Sequence, residues 1–364
     1  MKALYVHIPF CDKICSYCDF CKRIPKNEKM IWDYLNVLKE QYKKLNGPFD
    51  TIYIGGGTPS SLNEKQLTFL LDIFSLEKPK EFTIEVNPES YTKSKGKIFK
   101  DFNINRISLG VQTFNEKHLK TLNRAHNNND VFDTIESLIS LGLNNISIDL
   151  MFALPEQSIK DILNDIKIVK GLNIKHISYY ELFIEEKTYF HHLFKNNKLK
   201  PVDPDLQADM YKTIIESLKK LGFNQYEVSN YAKSETYESL HNKIYWTLYP
   251  YEAIGAGSHG FDGKYRYFHT RNITEYIKNP VITKNLQTKK DLYADFLIFG
   301  LRMNKGISLI KTKELFNKNP LDDYKELKHF IDLGLLVVED NHLKTTLKGT
   351  FLLNKIAEVF VWNF

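Results

Sequence analysis

Along the first 230 or so residues, short runs rich in Ile, Val, Tyr and Phe alternate with longer stretches that carry apolar residues on one helical face. The runs Ala3–Ile8, Thr51–Ile54, Phe82–Val86, Arg106–Gly110, Asn145–Leu150 and His176–Leu182 predict strands. Between them, Met30–Leu45 places Ile31, Tyr34, Leu35, Leu38 and Tyr42 on one face, and Glu64–Phe74, Val131–Leu141 and Ser158–Leu172 follow the same helical spacing. Asn63, just before Glu64-Lys65-Gln66, is a helix-start signal. Strand–helix alternation at this spacing predicts βα units and a parallel sheet. Six units are too few to close an eight-stranded barrel. The expected fold is therefore α/β, a partial (β/α)6 barrel of the TIM type over residues 1–230. The polar and Gly-rich segments follow the strands, at the carboxyl ends where such folds place their sites.

The pattern then changes. Residues 231–285 form a Tyr-rich, irregular segment, and from about 278 to 290 Asn, Pro, Thr and Lys dominate, which reads as a linker. Residues 291–364 form a small α+β module, with helices near Leu292–Arg302 and Leu321–Leu333. A hairpin-like LLVVED/HLKTT pair follows, joined at Asn341, and this order is winged-helix-like.

Composition narrows the classes. With 43% hydrophobic and 26% charged residues in 364, the chain is globular rather than disordered. The net charge of +6 comes from lysines spread along the chain, and no zinc-finger spacing or RNP signature is present, so nucleic acid is not an expected partner. No run of about 18 apolar residues predicts a transmembrane helix. The opening MKALYVHIPFC is interrupted by His7 and Pro9 and lacks a small-residue cleavage site. It reads as a strand, and the protein is expected in the cytoplasm, where thiols stay reduced.

All four cysteines lie between positions 11 and 21. The spacing Cys11-x3-Cys15-x2-Cys18 is that of a ligand set, and thiolates select zinc or iron–sulfur clusters. A structural zinc site wants four ligands, and no second Cys/His pair follows. Three thiols on one loop suit a [4Fe–4S] cubane whose fourth iron is open to an amine and a carboxylate. With Tyr17 before the third cysteine, this motif resembles that of the radical S-adenosylmethionine (SAM) superfamily. The resemblance implies a SAM site built from Tyr5, from Gly56, Gly57 and Thr58 of the GGGTP turn, and from Glu85, Gln112, Arg124 and Asp149. Independently, an acidic side chain inside an apolar strand costs several kcal/mol unless paired, which marks Glu85 and Asp149 as functional.

The segments YVHIPFCDKICSYCDF, IGGGTPS, RISLGVQTFNEKHLKTLNRAH, SIDLMFALPEQS, HISYYELFIEE and GLRMNKGIS together resemble the coproporphyrinogen III oxidase-like family, which holds the HemN enzymes and the HemW-type haem chaperones. Two features place the chain on the chaperone side. Phe20 stands where the HemN type has a further cysteine, and the cluster strand has no arm before it. His241-Asn242-Lys243-Ile244-Tyr245-Trp246 matches the HNxxYW motif linked to haem, which implies a haem site at His241, Tyr245 and Trp246. On a helix, His241 and Tyr245 share a face. His259 in GAGSHGF also fits the family and is a candidate to line the same space, whereas His7 reads as structural; Cys21 reads either as a solvent-side bystander or as a further cluster ligand or covalent haem attachment point. The resemblance implies haem transfer to an acceptor protein, with a flavodoxin or ferredoxin as a possible reductant. The rival readings are oxidative decarboxylation of coproporphyrinogen III and a simple iron–sulfur electron carrier.

Overall fold

The computed structural model describes residues 1–362. Its first half is a run of βα units: β1 (Ala3–Ile8), α1 (Glu28–Tyr42), β2 (Thr51–Gly56), α2 (Glu64–Asp72), β3 (Glu81–Val86), α3 (Lys93–Asp101), β4 (Arg106–Gln112), α4 (Glu116–Thr121), α5 (Asn128–Ser140), β5 (Ile146–Phe152), α6 (Ile159–Val169) and β6 (His176–Glu181). The six strands pair in parallel in sequence order. They form the open, partial barrel anticipated from the alternation. Local chemistry starts the helices. Asn63 and Gln66 close a capping box on α2, as do Asn127 and Asp130 on α5 and Ser158 and Asp161 on α6.

The strand period of two sorts the side chains. Leu4, Val6 and Ile8, Ile52 and Ile54, Phe82 and Ile84, Ile107 and Leu109, and Ile146 and Ile148 share one core with Leu35 and Leu38 of α1, Leu67 and Leu70 of α2, Phe99 of α3 and Leu138 of α5. Each such buried side chain is worth about 1.5–3 kcal/mol of apolar burial. The intervening positions are polar, and the registers stack them: Tyr5 beside Tyr53, Glu85 beside Ser108, Asp149 beside Ser178. A barrel whose inward positions carry carboxylates and hydroxyls is built to surround a ligand rather than to fill itself with aliphatic layers.

After α7 (Tyr189–Lys195) and α8 (Pro204–Lys220), the hairpin β7 (Asn224–Glu227) and β8 (Asn230–Ala232) extends the sheet antiparallel from β6. The Tyr-rich segment continues with α9 (Leu240–Trp246), β9 (Tyr251–Ile254), β10 (His259–Phe261), β11 (Tyr265–His269), α10 (Ile273–Lys278) and β12 (Ile282–Leu286). Of these, β9 pairs in parallel with β1, and β10 to β12 carry the sheet on antiparallel, giving twelve strands. The stretch expected as a linker, 278–290, thus contains an edge strand. All five residues of β12 are exposed, so it lacks the alternation that betrays a half-buried strand. Its polar side chains suit an uncovered edge.

The C-terminal module comprises α11 (Lys289–Gly300), β13 (Ile307–Ser308), α12 (Leu309–Phe316), α13 (Pro320–Asp323), α14 (Glu326–Asp332), β14 (Leu336–Glu339), β15 (His342–Thr345), α15 (Leu347–Thr350) and α16 (Leu353–Trp362). Leu297, Leu327, Leu343 and Ile356 anchor a separate core. The helix expected at Leu321–Leu333 is divided at Tyr324 into α13 and α14. No helix among the described residues is long and apolar enough to cross a membrane.

Candidate functional site

The four cysteines lie on the loop that leaves the carboxyl end of β1. Backbone bonds tie this loop to its surroundings: Cys11 N donates to Arg23 O at 3.1 Å, Ser16 N to Leu122 O at 3.1 Å, and Thr58 N to Phe10 O at 2.8 Å. Thr58 Oγ1 donates to Cys11 Sγ at 3.5 Å, and Arg124 Nη1 donates to Cys15 Sγ at 3.5 Å. Burial pushes the Cys11 thiol up to about 12, and the nearby Cys18 and Cys15 add to the effect. Such a thiol needs a metal to stay ionised. Among the described residues no three side chains close on one point as the ligands of a single ion would. A cubane ties each thiolate to a different iron, and three thiols on one loop are a donor set for it. Gly57 shows how closely the second turn approaches: a Cβ there would lie 2.7 Å from Phe10 O and 3.0 Å from Cys11 Sγ. Gly56 sits at φ +113°, where only glycine is at ease.

Cys21 behaves differently. Its thiol donates to Arg271 O at 3.2 Å, away from the other three, and burial lifts it to about 11. Its carbonyl accepts from His7 Nε2 at 2.7 Å, which leaves His7 Nδ1 to accept from the Tyr5 hydroxyl at 2.9 Å. Tyr5 and His7 thus brace the loop from inside the barrel.

Deeper in the barrel, Glu85 accepts from the Tyr53 hydroxyl at 2.8 Å and from Gly56 N at 3.0 Å. Burial raises its carboxyl to about 7 despite the two donors, and the charge of Asp149 works in the same direction. Asp149 accepts from Ser108 Oγ through both oxygens at 3.1 Å, and burial raises it as well. Arg124, 5% exposed at its side chain, donates to Gly110 O at 2.8 Å, while its Nε is buried without a partner. Gln112 takes φ +69° at a bulge against β5. The sequence-predicted residues Tyr5, Gly56, Gly57, Thr58, Glu85, Gln112, Arg124 and Asp149 therefore all sit on the cluster loop's side or line the barrel interior.

The HNxxYW segment is divided. It forms α9, as expected, but His241 lies at the amino-terminal end of the barrel strands and is 1% exposed. Its Nδ1 bonds Thr51 Oγ1 at 2.8 Å, its Nε2 bonds the Tyr245 hydroxyl at 2.7 Å, and its ring stacks on Tyr53. Burial lowers it to about 3. Glu81 accepts from Ser239 Oγ at 3.2 Å, Leu240 N at 2.9 Å and His241 N at 3.0 Å, fixing the start of the helix. By contrast, Tyr245 and Trp246 line an open cavity of about 440 Å3, with Tyr251, His259, Phe261 and Arg271 among its other walls. Asp19, Phe20 and Cys21 of the cluster loop close one side of it.

Sequence reasoning missed Tyr53, Ser108 and Ser178, which orient the two carboxylates. The signal was there: each occupies a polar, inward position of the two-residue strand period.

The chain is similar to known proteins in sequence and in fold. Residues 5–169 match the model of the radical SAM superfamily, and residues 287–352 match that of the HemN C-terminal domain. The solved structure of coproporphyrinogen III oxidase (HemN) from Escherichia coli superposes with a TM-score of 0.86, covering 100% of this chain and 90% of that one, at 21% identity; it establishes the fold. The protein from Bacillus subtilis named haem chaperone HemW is 35% identical, covering 99% of both chains. Its Escherichia coli namesake is 35% identical over 99% of this chain and 98% of that one. The chain belongs to the HemW family of the radical SAM superfamily.

Proposed function

We propose that the protein is a haem chaperone, binding a [4Fe–4S] cluster, SAM and haem, and passing haem to an acceptor protein. Membership of the superfamily implies the cluster and SAM. Cys11, Cys15 and Cys18 would hold the cluster, with Thr58 and Arg124 donating to its thiolate sulfurs. Hydrogen bonds to the sulfurs tune such a cluster's potential. Glu85 would take the SAM ammonium beside the backbone of Gly56 and Gly57, and Arg124 would face its carboxylate. Asp149, held by Ser108, would accept from the ribose, with Tyr5 and Gln112 completing the wall. Together the bound cluster and SAM supply one-electron cleavage of a sulfonium carbon–sulfur bond. The protein's share is to position SAM, with charges matched to both ends of its amino-acid moiety, and to limit water in a barrel lined by fixed dipoles.

The observation that carries the haem part is the aromatic cavity of about 440 Å3 that shares the cluster loop as a wall. Trp246 and Tyr245 offer flat apolar faces for a macrocycle, and the open side leaves room for hand-over. The curated relatives of nearly equal length, named as haem chaperones, favour this reading over the decarboxylase. A flavodoxin or ferredoxin would supply electrons in the cytoplasm. The test is anaerobic reconstitution with iron counting, followed by haem and coproporphyrinogen III offered in parallel, with SAM and reductant present. Stable haem binding without decarboxylation is the expected result; efficient decarboxylation would replace the chaperone reading.

A further inference from the structure

We propose that the iron of the bound haem is ligated by His259, not by the histidine of the HNxxYW motif. This rests on the reading of haem as cargo and says which side chain receives it. Three histidines lie in or beside the cavity, and two are already committed. His7 gives one ring nitrogen to the Cys21 carbonyl and the other to the Tyr5 hydroxyl. His241 gives both nitrogens to Thr51 and Tyr245, behind the stacked ring of Tyr53. For His241 to reach an iron it would have to break two buried hydrogen bonds, and each unsatisfied group costs about 1–3 kcal/mol.

His259 carries no such commitment. It lines the cavity and is exposed, and neither of its ring nitrogens has a hydrogen bond among the described residues. Its position on β10 is fixed from behind. The ring stacks on Phe268, its cross-strand partner on β11, with centroids 5.5 Å apart and planes 26° apart. The strand period of two puts Phe261 on the same face, where it lines the same cavity. The glycine between them packs against Tyr267, which a Cβ there would strike. An imidazole braced by one aromatic ring, with a second aromatic on its own strand face, is arranged for an axial ligand over a macrocycle.

The cavity also answers the charge of a haem. Arg271 lines it, and its Nη2 bonds the backbone and carboxylate of Asp19. Its Nη1 and Nε make no hydrogen bond among the described residues and would serve a propionate, since a guanidinium carries five donors. Arg266 is occupied by a 2.6 Å pair to Asp295 and is the weaker candidate. Partial desolvation of the ring against the cavity wall, with the charges of Arg271 and Arg266, holds His259 below the ordinary imidazole range, in the neutral form that binds iron. Cys21 is the competing donor on the same wall, but its thiol is turned to the Arg271 carbonyl.

The experiment compares the full-length protein with its His259→Ala, His241→Ala and Cys21→Ser variants, each titrated with ferric haem and with metal-free protoporphyrin IX. His259→Ala should weaken haem binding roughly ten-fold or more and shift the Soret band, because an axial ligand is lost. Its affinity for the metal-free porphyrin, which has no axial position, should be unchanged, and added imidazole should restore the wild-type spectrum. The same Soret band in His259→Ala as in wild type overturns the assignment. So does a loss confined to Cys21→Ser, or to His241→Ala when that variant keeps its fold by circular dichroism. Absence of haem binding in the wild type, with the cluster intact, would instead remove the cargo reading itself.

Discussion

Glu81 and Glu85 stand four residues apart on the same strand, on the same inward face, and the fold treats them in opposite ways. Glu81, at the amino end of β3, accepts three hydrogen bonds from the start of α9 and faces Arg106 Nε at 4.0 Å. Its lone pairs are used within the protein. Glu85, towards the carboxyl end, has two donors, and burial holds its proton until about pH 7. The two histidines make the same contrast. His241, at the base, is saturated; His259, in the side cavity, has no hydrogen bond on either ring nitrogen among the described residues. In a barrel of this kind the base is where side chains satisfy one another and the carboxyl end is where they are left for a ligand. Residue type alone does not separate the two roles; the count of internal partners does.

The largest effect should come from the cluster loop. Replacing Cys11, Cys15 or Cys18 by Ala should reduce iron to background after anaerobic reconstitution, since a cluster is not held by two thiolates of this loop. Cys21→Ser should keep its iron. If Cys21→Ser loses the cluster while one of the other three keeps it, the ligand set has been misassigned and the open iron with it.

Next in size is the contrast between the carboxylates. Glu81→Ala leaves Arg106 buried without its anion and strips the first turn of α9, so unfolding in urea should show a loss of about 3–5 kcal/mol. Glu85→Gln should unfold at a similar denaturant concentration and lose SAM affinity instead. A protein in which Glu81→Ala is as stable as wild type would break the distinction between base and carboxyl end.

The pH dependence sharpens it. Glu85 has its carboxyl raised from 4.5 to about 7 in the folded protein. Folded protein therefore holds this proton more tightly than unfolded chain. The stability it contributes is complete below pH 4.5 and disappears as pH rises through about 7. SAM affinity should run the other way, rising as pH passes 7 and the carboxylate forms to meet the ammonium. Measured by equilibrium dialysis between pH 6 and 8, this rise should vanish in Glu85→Gln. A wild-type profile already flat would mean that Glu85 does not face the charged end of SAM.

The same contrast explains what could be read in advance. Strands β1 to β6 were legible because helix-side residues such as Leu4, Val6 and Ile8 alternate with polar ones. The cysteine loop stood out because its three candidate ligands are local, within eight residues. The strand β12 was not, since an edge with every residue exposed carries no pattern. The fate of His241 was not legible either: its partner Thr51 is 190 positions away, and only the folded sheet brings α9 under β2. His259 fits a family pattern, but its freedom from internal partners is a property of the fold, not of its neighbours in sequence.

The smallest prediction tests that last point. Tyr245→Phe removes the hydroxyl that bonds His241 Nε2 and keeps the ring that lines the cavity. One buried hydrogen bond is lost, so stability should fall by about 1 kcal/mol in urea. If His241 is a structural residue at the base, the haem spectrum of this variant should match wild type. If instead His241 were the iron ligand, freeing its Nε2 would alter the axial field and move the Soret band. A shift in Tyr245→Phe comparable to that of His259→Ala would therefore join the two regions that the partner count holds apart.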